Sequence, residues 1–268
     1  MTEPMNTPFL SGMHALVTGS TSGIGLGIAR ALAKRGCGLT LNGFGDEAEI
    51  AELCDELAGI ASAPVAHHPA DMRDPVQIET MMREAAAGRG TIQVLVNNAG
   101  IQHVAPIGEF PVDQWNDILA INLSSSFHTI RLALPAMVEA GWGRVINVAS
   151  AHALRASPFK AAYVSAKHGM AGLTKTVALE TAKQNITVNA IAPGYVETPL
   201  VAGQVADTAR ARGITEEEVL RDVMLLAQPT KKLVGIDEIA EFAVFLCTDA
   251  AASITGTVLP MDGGWSAK

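Results

Sequence analysis

The sequence contains too few cysteines and too short apolar runs for several classes of protein. Its three cysteines, Cys37, Cys54 and Cys247, lie far apart without a C-x-x-C pair. This argues against a disulfide framework or a zinc site and indicates reduced thiols. No uninterrupted apolar segment reaches the roughly 18 residues of a membrane-spanning helix. The opening residues carry no Lys or Arg before an apolar run, so we expect no signal peptide and a cytoplasmic protein.

Basic charge is also scarce. Lys and Arg number 19 against 27 Asp and Glu, which gives a formal net charge of -8. No global positive field attracts nucleic acid or anionic lipid, so we predict neither as a partner. Hydrophobic residues make up 49% of the chain and charged residues 17%, which favours a sizeable core over disorder. With no repeats or low-complexity linkers, the chain is predicted to form a single domain over residues 1–268.

Apolar runs of strand length alternate with longer helical stretches. Repeated strand–helix–strand units pair in parallel, so we predict an α/β fold: a Rossmann-type, doubly wound sheet in three α/β/α layers. A TIM barrel also alternates but needs eight strands. The predicted strands are 14–19, 38–42, 64–68, 92–98, 143–150 and 186–192. The predicted helices are 24–36 (closed by Gly36), 46–58, 75–87, 112–121, 124–140 and 161–183.

The segment 197–230 breaks this rhythm. It is polar, has helical character and includes Pro199 and Pro229 near its ends. Function concentrates in insertions of this kind, so we predict a helical lid over the ligand crevice.

A glycine-rich loop, T-G-S-T-S-G-I-G, follows the first predicted strand and opens a helix. Gly19, Gly23 and Gly25 permit a tight turn and a close approach to a pyrophosphate, which the helix N-terminus would bind. The spacing is G-x-x-x-G-x-G and not the common G-x-G-x-x-G. The loop taken by itself could therefore also be an ordinary glycine-rich turn. No Lys follows the last glycine, which argues against a Walker-type loop.

Two more signals stand at the ends of predicted strands. Asp71 follows the third strand, where a carboxylate can accept hydrogen bonds from an adenine amino group. Asn97-Asn98-Ala99-Gly100 ends the fourth, where a dinucleotide would cross the sheet's switch point. Each is ordinary turn chemistry by itself. Together with the glycine loop, at consecutive strand ends, they predict a dinucleotide site.

Tyr163 and Lys167 stand at i and i+4 of a predicted helix and therefore share one face. A packed ring with a lysine over it is an ordinary alternative. To act as an acid/base near pH 7, Tyr163 needs its pKa lowered by roughly 3 units, or about 4 kcal/mol. An exposed lysine supplies only about 0–1 kcal/mol. The pair therefore functions only if Lys167 is partly buried and the positive ring of a nicotinamide cofactor assists.

Polar residues around this tyrosine indicate an anionic substrate. His152 and Lys160 are predicted near the pocket mouth, with Gln102 after the N-N-A-G loop and Gln204 on the lid. A cation and amide donors that converge on one spot favour a bound carboxylate, because burying that charge unpaired is costly. A surface histidine and a solvated lysine are the alternatives, and Arg155 is expected on the surface.

These motifs together resemble the short-chain dehydrogenase/reductase family, in order and along nearly the whole chain. The resemblance rests on G-x-x-x-G-x-G, N-N-A-G, Ser150, Tyr163-x-x-x-Lys167 and Pro193-Gly194. It implies that Ser150 donates to the substrate oxygen, whereas the residue alone also fits a turn cap. It implies a water relay for Asn122, which alone reads as a polar residue inside a helix. The implied catalytic set is Asn122, Ser150, Tyr163 and Lys167.

The resemblance also implies a bound NAD(H). No Arg or Lys stands in the S-T-S loop or in N-G-F-G-D-E after the second strand to bind a 2′-phosphate, which favours NAD over NADP. The Asp that usually selects NAD is absent, so Asn42 or the Gly43–Phe44 backbone must serve. The implied cofactor-binding residues are Gly19, Thr21, Ser22, Gly23, Ile24, Gly25, Phe44, Asp71, Met72, Asn98, Ala99, Gly100, Tyr163, Lys167, Pro193, Gly194 and Val196.

Within the family, N-G-F-G, N-N-A-G-I-Q-H, A-S-A-H and D-G-G-W are similar to the bacterial 3-hydroxybutyrate dehydrogenases. This resemblance implies a homotetramer without a catalytic metal. It leaves the acid's chain length open, because Tyr195 stands where close relatives carry Trp. The implied substrate-binding residues are Gln102, His152, Lys160, Gln204, Tyr195 and Trp265, the last in its own pocket or a neighbouring subunit's. Alternatives are an enzyme for another hydroxy acid, a neutral alcohol or a 3-oxoacyl substrate, and a catalytically silent NAD-binding sensor.

Overall fold

A seven-stranded parallel sheet organises the molecule, for which the computed structural model describes residues 8–267. The strands run in the order β3-β2-β1-β4-β5-β6-β7. Chain order reverses between β1 and β4, and at such a switch point a crevice opens at the carboxyl ends of the strands. The strands are β1 (His14–Val17), β2 (Gly38–Asn42), β3 (Val65–His68), β4 (Val94–Asn97), β5 (Gly143–Val148), β6 (Ile186–Pro193) and β7 (Val258–Met261).

Helices cover both faces of the sheet. Because successive strand residues face opposite sides, Ala15 and Val17 pack in one apolar cluster while Leu16 packs in the other. The predicted doubly wound α/β/α fold is confirmed. The helices are α1 (Gly23–Ala33), α2 (Glu47–Ala61), α3 (Pro75–Arg89), α4 (Val112–Leu119), α5 (Ser125–Ala140), α6 (Ala161–Thr181), α7 (Pro199–Arg212), α8 (Glu216–Glu218), α9 (Leu225–Ala227) and α10 (Ile236–Leu246).

Several predicted boundaries shift. The first helix ends at Ala33, not at residue 36, and a turn leads to Gly36 with φ of 81°. A π-helical turn, Ala120–Ser124, joins α4 to α5 and carries Asn122. The sequence patterns predict neither α10 nor the edge strand β7, which pairs with β6.

The predicted lid segment is helical and contains α7, α8, α9 and a π-helical turn, Val219–Met224. Thr198 caps α7 by accepting a hydrogen bond from Val201 N at 3.3 Å. Val205 and Met224 pack in an apolar cluster with Tyr195. The segment is thereby held against the end of β6. Among residues 8–267, no helix is both long enough and apolar enough to cross a bilayer.

Candidate active site

The glycine-rich loop is packed too tightly for side chains. A Cβ on Gly25 would lie 2.3 Å from Gly19 O and 2.4 Å from Asn98 Nδ2. Asn98 Nδ2 donates to Gly19 O at 2.8 Å, which ties the end of β4 to the loop. Ser22, the N-cap of α1, makes no side-chain capping bond. The first turn of α1 thus keeps backbone N–H groups available to an anion.

A cleft of about 350 Å³ opens over this loop. It contains eleven of the predicted cofactor-binding residues, whereas Gly25 lies beneath the loop. The prediction omitted Ala70, Ile101, Ile121 and Thr198, of which Thr198 shows the Thr-Pro signature of a helix start. The predicted residues that line the cleft are Gly19, Thr21, Ser22, Gly23, Ile24, Phe44, Asp71, Met72, Asn98, Ala99 and Gly100.

Asn42 lines the cleft, but its side-chain amide is already hydrogen-bonded to the protein. Its Nδ2 donates to His68 O at 3.1 Å and to Ala70 O at 2.9 Å, while its Oδ1 accepts from Gly19 N at 3.3 Å. All three partners are backbone atoms, so the amide braces β1, β2 and β3. Two groups were candidates for selecting NAD, the Asn42 side chain and the Gly43–Phe44 backbone. Because the Asn42 amide is in use, the structure favours the backbone.

The Gly43–Phe44 turn is fixed from two sides. Thr21 Oγ1 donates to Phe44 O at 3.0 Å, and His67 Nε2 lies 2.8 Å from Gly43 O. Gly43 has φ of 151°, and a Cβ there would lie 2.7 Å from Thr21 Oγ1. The backbone is therefore preorganised at the cleft edge, and no Arg or Lys is among the described residues that line the cleft.

Asp71 lies in the cleft, but its carboxylate is not free. Arg73 Nη2 donates to Asp71 Oδ2 at 2.6 Å, and Arg73 Nε donates to both carboxylate oxygens. These bonds hold the pKa of Asp71 below its usual range. The Asp71 carboxylate is thus ionised and already bonded to Arg73. Only its remaining lone pairs can accept the predicted hydrogen bond from an adenine amino group.

A second cavity of about 60 Å³ adjoins the cleft at the carboxyl ends of β5 and β6. Ile24 and Thr198 line both spaces, so a ligand in one can reach a ligand in the other. The predicted residues in this cavity are Gln102, Ser150, His152, Tyr163, Pro193, Gly194, Tyr195, Val196, Gln204 and Trp265.

Tyr163 and Lys167 are both buried. Burial raises the pKa of Tyr163 to about 12, an effect partly offset by a hydrogen bond with Ser150. Burial also lowers the pKa of Lys167 to about 7. Lys167 Nζ donates to Val148 O at 2.8 Å and lies 5.5 Å from the centre of the Tyr163 ring. Lys167 is therefore buried, as a catalytic role for the pair requires. Deprotonating Tyr163 near neutral pH still requires further positive charge, because burial raises the pKa of the phenol.

Asn122 sits in the π-helical turn with no exposed surface. Its Oδ1 accepts from Ile101 N and its Nδ2 donates to Ile101 O, each at 2.9 Å. The amide thus pairs with the backbone just after the N-N-A-G loop. This pairing positions the loop between the two cavities and leaves only the second lone pair of Oδ1 for another donor.

Two amide side chains, Gln102 and Gln204, line the second cavity, whereas the predicted substrate residue Lys160 does not line it and instead bonds Gln204. Lys160 Nζ donates to Gln204 Oε1 at 3.2 Å, and both residues are more than nine-tenths buried. Gln102 Nε2 is buried and has no hydrogen-bond partner. Burial, followed by the charge of Arg212, lowers the pKa of Lys160 to about 8, so the ammonium still predominates at pH 7. A buried cation and an unpaired amide donor await an acceptor.

His152 is not one of the cations, although the sequence analysis grouped it with Lys160 near the pocket mouth. Burial, followed by the charge of Lys160, lowers the pKa of His152 to about 3. Its Nδ1 lies 3.3 Å from Ser150 Oγ and its Nε2 lies 3.1 Å from Ser157 Oγ. The neutral imidazole orients the Ser150 hydroxyl.

Aromatic rings close the cavity. Tyr195 stacks on Trp265 with ring centres 5.3 Å apart and an interplanar angle of 13°. Trp265 meets His152 edge-on at 5.1 Å. Trp265 therefore lines the cavity of its own chain, one of the two alternatives raised by the sequence.

The geometry can support hydride transfer. A dinucleotide in the cleft would place its reactive end against the second cavity, beside a phenol, a hydroxyl and a buried ammonium. The cleft fits such a cofactor, because its loop excludes side chains and its helix N-terminus is uncapped. Within residues 8–267 there is no cluster of three or more His, Cys, Asp or Glu that could hold a metal ion.

Comparisons with known proteins agree with this geometry. The family model described as enoyl-(acyl carrier protein) reductase matches residues 19–266. The chain is 59% identical to D-beta-hydroxybutyrate dehydrogenase from Rhizobium meliloti, over 95% of this chain and 98% of that protein. It is 53% identical to the Cupriavidus necator protein of that name, over 97% and 100%.

A solved structure is similar as well. An actinorhodin polyketide ketoreductase variant with NADPH superposes with a TM-score of 0.88 at 34% identity, over 96% of this chain and 98% of that one. From its fold, its paired cavities and these relatives, the chain belongs to the short-chain dehydrogenase/reductase family of oxidoreductases.

Proposed function

We propose that this enzyme oxidises (R)-3-hydroxybutyrate reversibly to acetoacetate with NAD+. The observation that carries the proposal is that Gln204 and Gln102, whose Nε2 is unpaired, line one small cavity, and that Gln204 bonds the buried ammonium of Lys160. A short hydroxy acid would satisfy these donors with its carboxylate. Two relatives over 50% identical along nearly their whole length carry the matching name.

The proposed chemistry assigns one proton and one hydride. Tyr163 accepts the proton of the substrate hydroxyl, and Ser150, oriented by His152, donates a hydrogen bond to the same oxygen. Lys167 lowers the energy of the phenolate. Asn122 is proposed to support proton exit by holding the loop at Ile101 and offering its remaining lone pair to water. When bound, NAD+ would accept the hydride from the substrate carbon that carries the hydroxyl, and its positive charge would favour the phenolate form of Tyr163.

Cavity size restricts the acid. The second cavity encloses about 60 Å³, well below the roughly 300–1,000 Å³ of pockets for drug-sized ligands. Tyr195 and Trp265, whose rings stack on each other, take up part of its wall. A four-carbon acid suits this space better than a 3-oxoacyl chain on a carrier.

A substrate panel tests the proposal. We would measure NADH or NADPH formation by absorbance with (R)- and (S)-3-hydroxybutyrate, longer 3-hydroxy acids and neutral secondary alcohols. The proposal predicts the highest kcat/KM for (R)-3-hydroxybutyrate with NAD+. A higher value for a neutral alcohol would replace it with the alternative of an alcohol dehydrogenase.

NAD+ is predicted to be preferred strongly over NADP+. The 2′-phosphate would meet the Gly43–Phe44 backbone and no base, whereas an arginine fork binds phosphate well. The variant Phe44→Arg should therefore lower the ratio of kcat/KM with NAD+ to kcat/KM with NADP+. About 1.4 kcal/mol of new binding to the 2′-phosphate would lower this ratio roughly tenfold. Val76→Arg, which adds the same charge at an exposed position outside the cleft, is the control. Equal kcat/KM values for both cofactors in the native enzyme would contradict the prediction.

We infer that the enzyme assembles as a homotetramer. Apolar side chains stand exposed on two long helices: Phe127 and Val138 on α5, and Leu179, 80% exposed, on α6. Apolar patches of this kind mark association surfaces. Light scattering should give about four times the 27.9 kDa of the chain, and Leu179→Glu should weaken the assembly. A stable, active native monomer would refute the inference.

Two broader features complete the proposal. We propose one catalytic domain for the chain of residues 1–268, because within residues 8–267 the lid segment packs with Tyr195 at the end of β6, a strand of the sheet that carries the cofactor cleft. The enzyme acts in the cytoplasm on a small-molecule substrate, without nucleic acid or membrane partners. Localisation of a fluorescent fusion tests the compartment.

A further inference from the structure

Arg155 makes a contact that the site described above does not use. Its Nη2 donates to Ser266 O at 2.6 Å, across 111 residues of sequence. Arg155 follows the 3-10 turn that carries His152, and its own N–H bonds Ala151 O at 2.9 Å. Its backbone is therefore anchored to the turn that carries His152, and its guanidinium reaches a turn near the C-terminus of the chain.

The receiving turn, Trp265–Ala267, is held by polar contacts as well as by the packing of the Trp265 ring. Asp262, which is buried, accepts from Gly264 N at 2.9 Å and from Ser266 N at 2.7 Å. These bonds shape the turn from one side, and the Arg155 bond to Ser266 O fixes it from the other. None of residues 263–267 is fully buried, so burial alone does not fix the turn.

The position of this turn determines the position of the Trp265 ring. That ring stacks on Tyr195 and meets His152 edge-on, and it closes a cavity of only about 60 Å³. In a space of that size, a displacement of the ring by about 1 Å would misplace a bound substrate enough to weaken its binding or slow its reaction.

We propose that Arg155 is a positioning residue that holds Trp265 as the wall of the substrate cavity. Arg155 touches neither substrate nor cofactor; it acts through the Ser266 carbonyl. The role rests on the proposed function, because it concerns binding of the short hydroxy acid. We call the hydrogen bond from Arg155 Nη2 to Ser266 O the clasp. Loss of the clasp should weaken substrate binding more than it slows hydride transfer.

The test is a double-mutant cycle between Arg155 and Trp265. Arg155→Ala should raise KM for (R)-3-hydroxybutyrate about tenfold, the loss expected for one charge-assisted hydrogen bond. Its kcat should change much less, and its affinity for NADH should stay within about twofold of native, less than 0.5 kcal/mol. In a Trp265→Ala background, Arg155→Ala should add almost nothing, because residues that act through one another give non-additive losses.

Arg155→Lys separates position from charge. It keeps the positive charge near an anionic substrate but loses the arginine fork, so KM should fall between native and Arg155→Ala. If instead Arg155→Ala raised KM equally in both backgrounds, the residue would act on the anion by its charge and the proposal would be wrong. An unchanged KM in Arg155→Ala would also overturn it.

A second readout does not depend on the substrate. Acrylamide should quench the tryptophan fluorescence of Arg155→Ala more strongly than that of the native enzyme. The difference should vanish in a Trp265→Phe background, which retains Trp115 and Trp142. Increased quenching in an enzyme that fails to oxidise the acid would reject the proposed substrate while supporting the clasp; no increase would reject the clasp whatever the substrate.

Discussion

Replacing Tyr163 with Phe is expected to lower kcat by about 100-fold to 10,000-fold, the usual contribution of a positioned acid/base group. The change removes only the phenolic oxygen and keeps a ring that packs edge-on against His152. Stopped-flow or steady-state absorbance measures the loss. NADH binding, followed by fluorescence, should stay near native, because the cleft over the glycine loop is unchanged.

Tyr195→Phe is the matched control. Tyr195 is the other tyrosine of the cavity, and burial likewise raises its pKa to about 12. It stacks on Trp265 and has no lysine at i+4, so its loss of hydroxyl should lower kcat far less than that of Tyr163. Near-normal turnover in Tyr163→Phe would show that another group moves the proton.

Replacing Lys160 with Ala is expected to raise KM for 3-hydroxybutyrate about 30-fold or more. Removing one partner of a desolvated charge pair commonly costs about 2–5 kcal/mol, and Lys160 is only 4% exposed. A wet ion pair would lose only about 0–1 kcal/mol. Steady-state kinetics with varied acid gives KM, and a NADH titration should show little change.

Three comparisons sharpen this result. Lys160→Met keeps most of the apolar stem and separates lost charge from a cavity, and Lys175→Ala removes an exposed lysine of α6. Adding Gln102→Ala should give a non-additive loss if both side chains bind one carboxylate.

The KM of the native enzyme for the acid should also depend on pH. Because the pKa of Lys160 is about 8, the ammonium loses its charge above pH 8, and KM should rise there. A KM for Lys160→Ala within about threefold of native, under 1 kcal/mol, would remove Lys160 from the substrate site.

Local patterns predict the glycine loop and the first six strands because the signals are contiguous. Gly25 must approach Gly19 O, and the spacing of the motif encodes that approach. The edge strand β7 escapes prediction because Val258–Met261 is short, only partly buried and contains Pro260, which suits an edge strand but blurs the pattern. Helix α10 was not predicted either, although Ile236–Leu246 is strongly apolar.

The features of the site that sequence patterns miss depend on side-chain contacts and on burial. The sequence cannot show that Asn42 spends its amide on His68 and Ala70, or that Arg73 already pairs with Asp71. It places His152 near the pocket mouth, whereas the ring is buried and burial keeps it neutral. The expectation that Arg155 lies on the surface is confirmed, and the guanidinium there binds Ser266 O.

The most direct test compares kcat/KM of the native enzyme for (R)-3-hydroxybutyrate and for its methyl ester, with NAD+. The two substrates share the reacting carbinol and differ in the carboxylate. If Lys160, Gln204 and Gln102 bind that charge, the acid should exceed the ester by at least about 30-fold, or 2 kcal/mol. An ester that reacts as well as the acid would contradict the hydroxy-acid assignment.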